Sequence, residues 1–111
     1  MDTSPEVIEA AGKALNRSNK VFLHVSESYD QQKADRIVSV LKSEGFNVSP
    51  IERMKIFALL KNNAVKYFFD SDKSKAENIC DVIKKEGIIV VTTDVSKEYK
   101  VSSSRIEIWL K

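Results

Sequence analysis

Hydrophobic residues along this chain switch repeatedly between a period of two and a period near 3.6, and the switches mark the elements. In "KVFLHVSE" (Lys20 to Glu27), Val21, Leu23 and Val25 alternate with more polar neighbours, which predicts a strand. "SYDQQKADRIVSVLKSEG" follows with Ala34, Ile37, Val38 and Leu41 at helical spacing. Asp30 stands where a helix cap belongs, and Gly45 where a left-handed stop belongs. "FNVSPI" predicts a short strand, and Pro50 assigns it to a sheet edge. The same sequence of signals then returns. "AVKYFFDSD" predicts a strand. "KSKAENICDVIKKEG" predicts a helix with the stripe Ala76, Ile79, Cys80 and Ile83, and "IIVVTTDV" an almost continuously apolar strand. "RIEIWLK" alternates strictly to the end.

Three segments fall outside this rhythm. "SPEVIEAAGKALNRSN" opens with Ser4, Pro5 and Glu6, a good helix start, and carries Val7, Ile8, Ala11 and Leu15 at helical spacing. Residues 1–19 are therefore an N-terminal helix docked on the domain, or a tether to something upstream. The connector "ERMKIFALLKNN", with Ile56, Phe57, Leu59 and Leu60, fits a short helix or a covering flap. "SKEYKVSSS" reads as a polar loop.

The return of the pattern is a match in register. Ala34 and Ala76, Ile37 and Ile79, Val40 and Val82, Lys42 and Lys84, Glu44 and Glu86, and Gly45 and Gly87 each lie the same distance apart. Val48 falls on Val90, Leu23 on Val65 and Val25 on Tyr67 in the same alignment. Core, cap and strand positions coincide together, which points to a duplicated strand–helix–strand unit. Two such units interleaved in one sheet give a ferredoxin-like β-α-β-β-α-β sandwich, an α+β fold with both helices on one side. On this reading residues 20–111 are one domain, the first strands of the two units are adjacent, and Arg105 to Leu110 adds a fifth strand beside Ile88 to Val95.

Strand alternation then assigns faces. With Val21, Leu23, Val25, Val65, Tyr67, Phe69, Ile106, Ile108 and Leu110 under the helices, the other face receives Phe22, His24, Lys66, Phe68, Arg105, Glu107 and Trp109. Aromatic rings interleaved with cations on an uncovered sheet suit stacking and anion or hydroxyl contacts. Phe22, His24, Lys66, Phe68, Arg105 and Trp109 are the candidate binding residues. The same residues would form a second small core if another part of the chain lay across them.

Composition narrows the chemistry. A net charge of +2 from 18 basic and 16 acidic residues gives no one-signed stripe, which argues against nucleic acid. His24 is the only histidine and Cys80 the only cysteine, so neither a zinc cluster nor an intramolecular disulfide is expected. That is compatible with the cytoplasm and equally with a disulfide-free periplasmic domain. "DSDKS" resembles a metal loop but lacks the downstream glutamate of a calcium site, and Asp72 fits a helix cap. Cys80 lies on an inward stripe, the place of a small hydrophobe. Ser102 to Ser104 have no histidine or acid at recognisable spacing, and the three glycines form no phosphate loop. No enzyme is predicted and no cofactor. An acylphosphatase-like hydrolase, the enzymatic alternative, rests on fold analogy alone. No apolar run approaches the roughly 20 residues that span a bilayer.

Two stretches carry a family resemblance. "VKYFFDSDKSKAENICDVIKKEG" followed by "RIEIWL" is similar to a V-R-Y-F…E-I-W-L pattern near the end of bacterial multidomain proteins, and "VFLHVSESYDQQKADRIVSVLKSEGFNVSPIE" to the half that precedes it. The chain thereby resembles the LytR C-terminal and SPOR (sporulation-related repeat) domains over Lys20 to Leu110, with Lys66 where the pattern has Arg. The resemblance implies a duplicated ferredoxin-like fold and a non-catalytic accessory domain that binds peptidoglycan-like glycan, or a partner protein, through the sheet face. The alternative is a protein–protein or self-association module in a cytoplasmic signalling protein, working through Ile56–Leu60 or a strand edge.

Overall fold

The computed structural model of the chain describes residues 20–55, 62–98 and 105–111. The expected helix within residues 1–19, the Ile56–Leu60 connector and the Ser102–Ser104 loop lie outside the described residues. The elements run β1 (Lys20–Ser26), α1 (Gln31–Ser43), β2 (Asn47–Val48), β3 (Glu52–Met54), β4 (Ala64–Tyr67), α2 (Lys73–Lys85), β5 (Val91–Asp94) and β6 (Arg105–Leu110). The architecture is α+β: two helices and one mixed six-stranded sheet.

Local signals place the helix ends. Asp30 Oδ1 accepts the Lys33 N–H at 2.9 Å and satisfies one of the orphan donors that open α1. At the other end Phe46 N donates to Leu41 O and Gly45 N to Lys42 O, the paired bonds of a left-handed stop. That stop needs a positive φ, which Gly45 supplies at +91° and Gly87 at +83°. Asp72 occupies the cap position of α2, yet its side chain makes no capping bond. A 3-10 turn, Asp70–Asp72, leads into the helix, and the buried Asp72 carboxylate lies 3.7 Å from Lys75 Nζ instead.

The chain forms two parallel strand–helix–strand turns, and they do not interleave. β2 and β3 both pair parallel with β1, and β5 pairs parallel with β4. Each unit therefore closes on its own first strand. The sheet order is β2-β1-β6-β4-β5, with β3 also on β1. This corrects the ferredoxin-like arrangement and its adjacent first strands: β1 and β4 are separated by β6. The last strand does not extend the sheet beside Ile88 to Val95. It runs parallel to β1 and antiparallel to β4 as the central strand. The physical reason lies in the core rows. Val21–Ile106–Tyr67 and Leu23–Ile108–Val65 are cross-strand rows through β1, β6 and β4. All six are buried under the helices. A strictly alternating strand that fills the seam is hydrogen-bonded on both sides and joins two half-cores into one.

The expected "FNVSPI" strand is split as well. Ser49 N donates to Val21 O at 2.9 Å, and Pro50, with no N–H, ends β2 before β3 resumes pairing. Arg53 on β3 then ties down the turn after β1, donating from Nη1 to Glu27 O and Tyr29 O, both at 3.0 Å. One cluster holds the helix layer to the sheet. It contains Ala34, Ile37 and Leu41 of α1, and Ala76, Ile79, Cys80 and Ile83 of α2, against Val21, Leu23, Val25, Val65, Ile106, Ile108 and Leu110. Each large aliphatic side chain buried there contributes about 1.5–3 kcal/mol of transfer free energy.

Candidate functional site

On the other face, β1, β6 and β4 set the polar and aromatic side chains in register. His24 lies opposite Trp109, Phe22 opposite Glu107, and Lys66 opposite Glu107 from the far side. Lys20 lies opposite Arg105, and Phe68 follows directly on the end of β4. All six residues singled out from the sequence come together here, on the side away from the two helices.

The rings do not lie open. The His24 imidazole stacks on the Trp109 indole with centroids 4.2 Å apart and planes 14° from parallel. Lys66 Nζ sits 4.9 Å from the Trp109 centroid. The register brings His24 to the indole from β1 and Lys66 from β4. The Arg105 guanidinium lies 4.1 Å from the Phe22 ring and 5.7 Å from that of Phe68. Such contacts are worth about 0.5–2 kcal/mol, more as they leave water. His24 and Phe68 are buried, while Phe22, Lys66, Arg105 and Trp109 are half-buried.

Two carboxylates complete the ladder. Glu107, between the rows, pairs with Arg105 Nη2 at 2.7 Å and accepts from Trp109 Nε1 at 3.1 Å. Glu52 Oε2, on the neighbouring β3, lies 3.4 Å from His24 Nε2. The alternation Arg105–Glu107–Trp109 assigns Glu107 to this face but gives no sign that it holds both its neighbours. Glu52 was not foreseen, because its proximity depends on β3 pairing with β1. Ala64, directly across from Trp109, leaves room for the indole. Two polar atoms of the face, His24 Nδ1 and Arg105 Nε, are buried with no hydrogen-bond partner among the described residues.

Cys80 lies on the other side of the sheet. Its Sγ donates to Val90 O at 3.2 Å, and burial pushes the thiol pKa up, away from thiolate chemistry. Between the helix ends, a recess of about 330 Å³ is bordered by Asp30, Lys33, Arg36 and Glu86, but Arg36 and Glu86 are paired with each other. Among the described residues no group of three metal-ligating side chains lies together, and no helix is long and apolar enough to cross a membrane. No protein-family model matches the chain, and neither curated proteins nor solved structures yield a match.

Proposed function

We propose that this chain is a non-catalytic binding module whose contact surface is the face formed by Phe22, Lys66, Arg105 and Trp109, with His24 and Phe68 as its buried supports. The observation that carries this reading is the interlocked ladder itself. Rings and cations are held in fixed relative positions on the side of the sheet away from the helices, so little side-chain freedom remains to be lost on binding.

The ladder favours a protein partner over a glycan. A sugar stacking on Trp109 needs an open ring plane, but His24 is stacked on the indole and Lys66 Nζ lies 4.9 Å from its centroid. What the face presents is cationic heads, ring edges and the Arg105 guanidinium, chemistry enriched at protein–protein contacts. The glycan reading suggested by the SPOR resemblance is the competing outcome. Immobilised chain should retain a purified partner, and Lys66→Ala should lose it. Lys42→Ala, on α1 and remote from the face, should keep it. Retention of isolated glycan strands, again dependent on Lys66, would transfer the site to sugar recognition. Binding that tolerates Lys66→Ala and Phe22→Ala would remove the face from consideration.

A further inference from the structure

His24 is the chain's only histidine, and histidine is the side chain whose charge ordinarily changes between about pH 5 and 8. Its ring is buried and stacked on Trp109, the chain's only tryptophan, with centroids 4.2 Å apart. The two ring nitrogens meet different surroundings. Nε2 lies 3.4 Å from Oε2 of Glu52, whose side chain is 60% exposed on the neighbouring β3. Nδ1 is buried with no hydrogen-bond partner among the described residues. The charged groups on this face of the sheet are Glu52 on β3, Lys66 on β4, Arg105 and Glu107 on β6, and Lys20 at the start of β1 itself, while β2 contributes none. Glu107 is engaged elsewhere, with one oxygen on Arg105 Nη2 and the other on Trp109 Nε1.

We infer that His24 is a proton-operated latch on Trp109: neutral, it covers the indole, and protonated, it leaves the stack toward Glu52 and opens the indole to a partner. Three observations converge on it. Whichever nitrogen carries the proton of the neutral ring, the charged ring carries both, and an N–H at Nδ1 is a buried donor with no acceptor among the described residues. Lys66 Nζ already lies 4.9 Å from the centroid of the same indole, so a second positive charge on that ring meets a first. Glu52 supplies the opposite charge on an exposed side chain, where an imidazolium is both paired and hydrated. Trp109 does not follow, because Glu107 holds its N–H at 3.1 Å. The inference rests on the reading of this face as the contact surface and adds its regulation. In mild acid the face gains a free ring plane beside Lys66, suited to a flat or apolar group of the partner.

Emission of the single tryptophan reads the latch without any partner. As pH falls from about 8 to about 5, emission of the full chain should shift to the red and quenching by neutral acrylamide should increase, with the far-UV spectrum unchanged. His24→Phe keeps a flat ring over the indole but cannot be charged, so both readouts should stay constant. Glu52→Gln, at an exposed side chain, should move the transition to lower pH, and it carries the test if His24→Phe fails to fold. A flat profile in the unsubstituted chain overturns the inference. So does a transition that survives His24→Phe, one that Glu52→Gln leaves in place, or one accompanied by loss of secondary structure. Partner retention that depends on Lys66 at neutral pH judges the contact surface separately, so failure of the latch and failure of that surface are told apart.

Discussion

Leu23 and His24 are neighbours on β1, yet they belong to two differently built surfaces. Leu23 points into a layer built mainly from aliphatic side chains, with Tyr67 and Cys80 among them, and two helices exclude water there. His24 points into a layer where a ring stacks on a ring, a cation sits beside each large aromatic group, and carboxylates join the rows. The first face is held by burial, which is non-directional and tolerates volume-conserving change. The second depends on direction and distance, so it should be less tolerant of isosteric substitution and more of partial exposure. Both faces come from alternate residues of the same strands, and the pleat keeps them apart.

The contrast can be broken from the helix side first. Ile79→Ala empties a fully buried position and should cost about 2–5 kcal/mol in urea unfolding. On the other face Phe68→Ala should cost about 3 kcal/mol, because Phe68 is buried despite facing away from the helices. A loss below about 1 kcal/mol would mean that the ladder is a surface decoration and not a packed layer. Arg105→Lys sharpens the comparison further: it keeps the charge but removes the flat group beside Phe22 and Phe68, and should cost about 1 kcal/mol. The helix face offers no equivalent of that sensitivity, since Val82→Ile or a similar change there alters volume alone.

Smaller effects test the periphery. Arg36→Ala removes an exposed pair with Glu86 and should change stability by less than about 1 kcal/mol. The smallest expected effect is at Asp94 on β5, the end of the sheet path. Hydrogen bonds from Ser96 hold its carboxyl below the ordinary 3.8. A carboxyl pKa that is lower when folded stabilises the fold above the unfolded value, and that contribution disappears as pH falls through the folded value. Acid titration below pH 3.8 should therefore show a slightly shallower stability loss in Asp94→Asn than in the natural chain.

Much of this was legible in the residues. Both helix stripes, the Asp30 cap and the two glycine stops follow from spacing, because they depend on groups within a few positions of one another. So does the sorting of Phe22, His24, Lys66, Phe68, Arg105 and Trp109 onto one face, which requires only that strands alternate. The apolar run "IIVVTTDV" suggested one strand from Ile88 onward, but strand pairing begins only at Val91 and leaves Ile89 exposed.

Strand order was not legible. Alternation in "RIEIWL" is the same whether the strand sits at an edge or in the seam, and pattern alone placed it beside the wrong neighbour. Sequence spacing by itself determined which residues share a helix stripe or a strand face, since those relations repeat every few residues along one piece of backbone. Which strands touch, and hence that Glu52 reaches His24 and that Lys66 and His24 close on Trp109, was decided only when distant segments met. Hydrogen-bond partners between strands carry no local signature, and the arrangement that buries the most apolar rows at once prevails.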